Sequence, residues 1–185
     1  KFFDFHYKIY INTVCEILKT VGINVNIAPV LDVRRNSSHK VIGNRSFSTD
    51  EKIVSKIGNL CVNLYNKNKI ATVIKHIPGQ GLAKSDSHFN LPIINEKKRE
   101  LIKKDFKPFT VCQSFFAMTA HVIFSIYDKV NTATHSKIII NEVIRKHIGF
   151  KGILISDDIS MKALKYGLRN NAIKSLDAGC NLILH

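Results

Sequence analysis

Three stretches of this sequence gather the residue types that attack electrophiles, move protons or hold charge. The first runs Lys75-His76-Ile77-Pro78-Gly79-Gln80-Gly81 and continues through Asp86-Ser87-His88 to Leu91-Pro92. The second is Ser156-Asp157-Asp158-Ile159-Ser160-Met161. The third is Ala28-Pro29-Val30-Leu31-Asp32-Val33-Arg34-Arg35, followed by Ile42-Gly43-Asn44-Arg45-Ser46-Phe47. Held ionised at a strand end, Asp157 could act as a nucleophile; equally, it and Asp158 could cap the next helix. His88 has an imidazole's capacity to exchange protons near neutral pH, and Asp86, two residues away, could orient its ring and favour the protonated form. In isolation that triplet reads more simply as a loop histidine beside a capping aspartate.

Other chemistries lack their residues. No GxGxxG follows a strand, no GxxxxGK[ST] occurs and there is no GxSxG elbow, which removes the common nucleotide-binding and α/β-hydrolase readings. Gly79-Gln80-Gly81 is a lone GxG and reads as loop flexibility. His76, His121 and Asp157 all end strands, which raises a metal-dependent hydrolase, but the H-x-H pair that such sites often carry is missing. Neither a metal nor a cofactor is expected.

The elements that must position these groups alternate. Apolar residues recur at helical spacing over 3–20, 50–66, 96–109 and 137–147, with a further helix within 158–178. Between them lie short apolar runs at 23–33, 71–76, 115–121, 152–157 and 181–185, read as about five strands. Continuous Ile/Val/Leu strands separated by helices indicate an α/β fold with a parallel sheet covered on both faces. Asp32, Lys75, His76, His121, Asp157 and His185 all fall at strand ends, and in a barrel such ends converge on one mouth. The favoured architecture is therefore a (β/α)8 TIM-type barrel, present here as an incomplete one, because about five strands cannot close.

Composition agrees with a folded, water-surrounded domain. The 185 residues are 45% hydrophobic and 23% charged, and the four cysteines, Cys15, Cys61, Cys112 and Cys180, stand apart without any CxxC, as core thiols in a reducing compartment do. No apolar run approaches the ~18 residues of a membrane span. The net charge of +14 comes from lysines scattered among Ile and Asn along the whole chain, a compositional habit rather than a nucleic-acid interface.

Taken in order, the segments APVLDV, GNRSF, KHIPGQG, DSH, AHV, GFKGILISDDISM and LDAGCNLIL closely resemble the β-N-acetylglucosaminidases of glycoside hydrolase family 3, especially the bacterial cytosolic enzymes of cell-wall recycling. The resemblance implies one partial catalytic domain over 1–185, matching about the third to seventh βα units of the family's barrel. The family's N-terminal strands, its last strand and its Asp-Gln-Glu-Gly-Gly segment have no counterpart here. Gln80 stands where the family usually has a second histidine. The implied reaction is retaining hydrolysis of terminal N-acetyl-β-D-glucosamine from peptidoglycan-derived fragments. Asp157 would be the nucleophile, His88 oriented by Asp86 the acid/base, and Arg45, Lys75 and His76 the residues that hydrogen-bond the sugar. A cytoplasmic monomer with no nucleic-acid or membrane partner is the corresponding expectation. The alternative is a catalytically degraded remnant kept as a binding module or without activity.

Overall fold

The computed structural model describes residues 2–35, 42–83, 85, 90–112 and 114–185. Helix α1 (Phe2–Thr20) leads into β1 (Val25–Asn26), α2 (Glu51–Lys67) and β2 (Ala71–Ile77). The helical segment 98–111 opens with α3 (Lys98–Glu100), widens over Leu101–Asp105 and ends in α4 (Lys107–Val111). Strands β4 (Phe116–Thr119) and β6 (Ile153–Ile155) follow, with a wide-turned helix at Ile139–His147 between them and α5 (Gly167–Ala178) after them. All ladders are parallel, in the order β1-β2-β4-β6, with Val25 opposite Ala71, Ile74 opposite Ala117 and Ala117 opposite Leu154. A chain that alternates parallel strands with covering helices in this way is an incomplete α/β barrel.

The strands form where the sequence is apolar without interruption. In β2, five of seven residues are buried, as expected of a strand covered on both faces. Ile74, Ile77, Ala117 and Leu154 pack against Val54 and Val62 of α2, Phe106 and Phe109 of the 98–111 segment, and Ile139, Ile140, Val143 and Ile144. A smaller cluster of Ile11, Cys15, Cys61, Leu64, Tyr65 and Ile70 joins α1 to α2. All four cysteines are buried free thiols. Asp50 caps α2 by accepting from the Lys52 N–H, and Gly179, at φ 118°, ends α5 in the left-handed region.

Several boundaries differ from the sequence reading. The run at 181–185 supplies only a bridge, Leu182 opposite Ile155, and the run at 23–33 pairs at Val25–Asn26 and again at Val30, opposite Lys75. The expected helix at 96–109 is broken by i→i+5 geometry, with the Phe106 N–H donating to Leu101 O at 2.9 Å. A short parallel pair, β3 (Ile93–Ile94) with β5 (Ile123–Phe124), lies outside the main sheet. Two-residue strands carry too little periodicity to be seen in sequence. Among the described residues no helix is long and apolar enough to cross a membrane.

Two glycines of KHIPGQG bring loops together rather than loosen them, which corrects the flexibility reading. A Cβ on Gly81 would lie 1.9 Å from Val33 O, and one on Gly79, at φ 138°, would lie 2.7 Å from Asp105 O. Only glycine lets the loop after β2 lie against both neighbours.

Candidate active site

The site is built on the ends of β1, β2 and β6. Asp32, two residues past the bridge between Val30 and Lys75 of β2, is fully buried, and it accepts hydrogen bonds on both oxygens. Its Oδ1 receives the Gln80 N–H at 2.7 Å and the His76 N–H at 3.3 Å, and its Oδ2 receives His76 Nδ1 at 2.6 Å. A buried carboxylate with three donors is satisfied and fixed, and it fixes the ring it holds. With Nδ1 committed as donor, Nε2 of His76 is the acceptor for the Arg45 guanidinium at 3.4 Å, since arginine can only donate. The same Nε2 lies 3.9 Å from Asp157 Oδ2.

Arg45 reaches this point because its loop is pinned to the β1 end. A single 3₁₀ turn, Gly43–Arg45, presents it, and the next residue, Ser46, donates its hydroxyl to Asp32 O at 2.7 Å. Lys75, half-buried on β2, is close enough to Arg45, Asp157 and Asp32 to feel their charges. Burial lowers its pKa, Arg45 adds to the lowering, and the two carboxylates oppose it. Asp157 follows β6 with its side chain 17% exposed. Its Oδ1 accepts the Asp158 N–H at 2.9 Å, which leaves Oδ2 as the oxygen turned toward the histidine.

The structure thus brings Arg45, Lys75, His76 and Asp157 together. Asp86 and His88 lie outside the described residues. Asp158 does not cap a helix, as the sequence reading had it: its Oδ1 accepts from the Ser160 N–H and hydroxyl, closing a turn well before α5 begins at Gly167. His121 is buried beside the cluster, within reach of the charges of Asp157 and His76, but its ring is bonded elsewhere. Its Nε2 donates to Asp158 O at 3.0 Å and its Nδ1 accepts from the Thr134 hydroxyl at 2.7 Å, so it steadies the backbone beside Asp157. Both ring nitrogens being used, His76, His121 and Asp157 do not form the ligand set that a metal-dependent reading needed; among the described residues no cluster of three such groups occurs.

Asp32 is the residue whose importance the sequence left open. It stood at a strand end with no assigned partner, because its contacts with His76 and Gln80 span more than 40 positions. Asp32→Asn is expected to place an amide N–H₂ or a weaker acceptor where two oxygens now take three donors. A buried group left mismatched costs about 1–3 kcal/mol. Chemical denaturation should show that loss, together with weakened protection of the Gln80 amide in hydrogen exchange; unchanged stability would remove Asp32 from this role.

His135, buried four residues before the start of the wide helix, gives a pH test. Burial pushes its pKa down to about 4, helped by His121 and Lys174, while its Nε2 donates to Asn171 O. An unfolded histidine binds its proton near ~6.5, so between about 6.5 and 4 the unfolded chain holds more protons and acid removes stability. Burial of Asp105 works with the opposite sign, holding its pKa near 6 in the fold. The difference between the native chain and His135→Gln isolates the first effect. On lowering the pH from 7 to 4, the native chain should lose about 3 kcal/mol more than the variant by urea denaturation. Parallel pH profiles would refute it.

Comparison with known proteins agrees with this geometry. Residues 5–185 match the family model for the glycosyl hydrolase family 3 N terminal domain. The chain is 36% identical over 173 residues to a beta-hexosaminidase of Shewanella frigidimarina, covering 90% of this chain and 50% of that protein. It is 35% identical over 172 residues to the beta-hexosaminidase of Haemophilus influenzae, covering 89% of this chain and 48% of that one. The chain therefore spans about half the length of the curated relatives it matches. In structure it superposes on a family 3 β-N-acetylglucosaminidase from Paenibacillus with a TM-score of 0.87 at 32% identity, over 90% of this chain and 33% of that one. NagZ from Neisseria gonorrhoeae, solved with N-trifluoroacetyl-D-glucosamine, gives a TM-score of 0.83 at 32% identity, over 92% and 49%. With a parallel strand layout, a strand-end cluster around Asp157 and a family match along nearly its whole length, the chain belongs to glycoside hydrolase family 3.

Proposed function

We propose that this chain carries the catalytic part of a retaining exo-glycosidase that removes terminal non-reducing N-acetyl-β-D-glucosamine. The observation that supports it most is Asp157 Oδ2, partly exposed beyond β6, facing His76 and accompanied by Arg45 and Lys75. A sugar presents hydroxyls in fixed directions. Donors from the ends of two strands and the Arg45 turn can hold one pose and leave the anomeric carbon before the carboxylate.

In the first step an Asp157 oxygen forms a bond to the anomeric carbon while the glycosidic C–O bond breaks and His88 gives its proton to the leaving oxygen. In the second, water attacks the same carbon, His88 takes the water's proton, and the Asp157 ester bond breaks to return the carboxylate. Asp86 keeps the His88 ring oriented throughout. The relatives' name, beta-hexosaminidase, agrees with an amino-sugar substrate. Peptidoglycan fragments as its source, the cytoplasm as its place and a monomer as its working form complete the proposal.

Hydrolysis of a chromogenic aryl β-N-acetylglucosaminide tests the activity, and proton NMR of the first sugar released tests the stereochemistry. The β-anomer should appear before mutarotation. Initial release of the α-anomer, or no hydrolysis by any length of chain containing these residues, would overturn the reading.

A further inference from the structure

We propose that the buried Arg35–Asp105 ion pair positions the Asp32–His76 dyad by clamping the loops after β1 and β2 to the wide turn before α4. It rests on the reading of His76 as a sugar-binding residue. Arg35 lies three residues after Asp32 on the β1 loop, and its guanidinium meets Asp105 Oδ2 at 2.5 Å, with side-chain exposures of 16% and 1%. The backbone of Asp105 also abuts Gly79, which directly precedes the residue whose N–H donates to Asp32. Asp105 therefore touches both loops whose mutual docking sets Asp32: one through its side chain, the other through its main chain.

The energetics favour geometry over stability as the reason for the pair. Desolvating two charges is costly, and well-packed apolar replacements of such pairs are often neutral or stabilising. Here the balance is visible: burial pushes the Asp105 carboxyl up to about 6 even though Arg35 pulls it down, with the Asp32 charge adding to the rise. Its Oδ1 moreover makes no hydrogen bond among the described residues. What the pair does supply is direction. It ties Asp105 to Arg35 on the same loop where Gly81 is pressed onto Val33, so that loop is held at Val33 and at Arg35, just past the aspartate that orients His76.

The test is the double variant Arg35→Met/Asp105→Leu, read by thermal unfolding and by the downfield proton NMR signal of His76 Nδ1–H bonded to Asp32, in protein carrying ¹⁵N-labelled histidine. A positioning role predicts an unfolding midpoint within a few degrees of the native chain and loss or severe broadening of that signal. The same signal, at native position and width in the folded double variant, would overturn the proposal, as would its absence from the native chain. If the double variant fails to fold, Arg35→Lys keeps the charge and removes the planar fork. That variant should shift the signal, and an unmoved signal would again overturn the inference. No turnover is needed, so a failure of the glycosidase reading and a failure of this one are told apart.

Discussion

Asp157→Asn is expected to reduce turnover of an aryl β-N-acetylglucosaminide by orders of magnitude while leaving the fold intact. The amide is nearly the same shape but a poor nucleophile, so no glycosyl ester forms. The local geometry says how the variant will sit. Oδ1 accepts the Asp158 N–H at 2.9 Å, so the asparagine carbonyl takes that place and its N–H₂ occupies the position of Oδ2, 3.9 Å from the accepting Nε2 of His76. The amide is uncharged, so one carboxylate is lost from beside Lys75 and Arg45, a modest loss of attraction at a partly exposed site, and the unfolding midpoint should stay within a few degrees of the native value. Thermal unfolding and steady-state kinetics on the same preparation make the test. Near-native turnover rules out the nucleophile role; lost turnover together with a midpoint lower by about ten degrees or more would instead make Asp157 a structural residue.

How much of this was legible in the sequence follows from the range of each interaction. Helices α1 and α2 and strands β2, β4 and β6 were readable, because apolar periodicity is local and each is long or apolar enough to show it. Asp157 was placed at its strand end for the same reason. The pairings that shape the site were not readable. Asp32 with His76, Ser46 with the Asp32 carbonyl and Arg35 with Asp105 are contacts made only when distant loops dock. Gly79 and Gly81 were misread because a glycine chosen for flexibility and one chosen for close approach look alike until the neighbour is known, here Asp105 and Val33. The break in the 98–111 helix does carry a local mark: Pro108 has no N–H to donate to the carbonyl four residues back, yet apolar periodicity alone runs the helix through it.

The described part of the mouth also bears on which group protonates the leaving oxygen. Asp32 is fully buried and both of its oxygens already accept from donors of the fold. His76 has one ring nitrogen on Asp32 and the other facing Arg45. Both groups are already engaged within the fold, which is compatible with the proposal that the Asp86–His88 dyad protonates the leaving oxygen. His88→Ala should accordingly slow a substrate with a poor leaving group far more than one carrying an activated phenol, whose departure needs little protonation. Azide, which can attack the glycosyl ester without base assistance, should partly restore turnover of the activated substrate and yield the β-glycosyl azide. Asp86→Asn keeps the imidazole but removes its charged partner, so a milder loss with a displaced pH profile is expected. If His88 only bound or placed the sugar, both substrates would lose rate equally and azide would change neither. In that case Lys75, a titratable donor near Asp157, becomes the group to test, through Lys75→Met and the same pair of leaving groups.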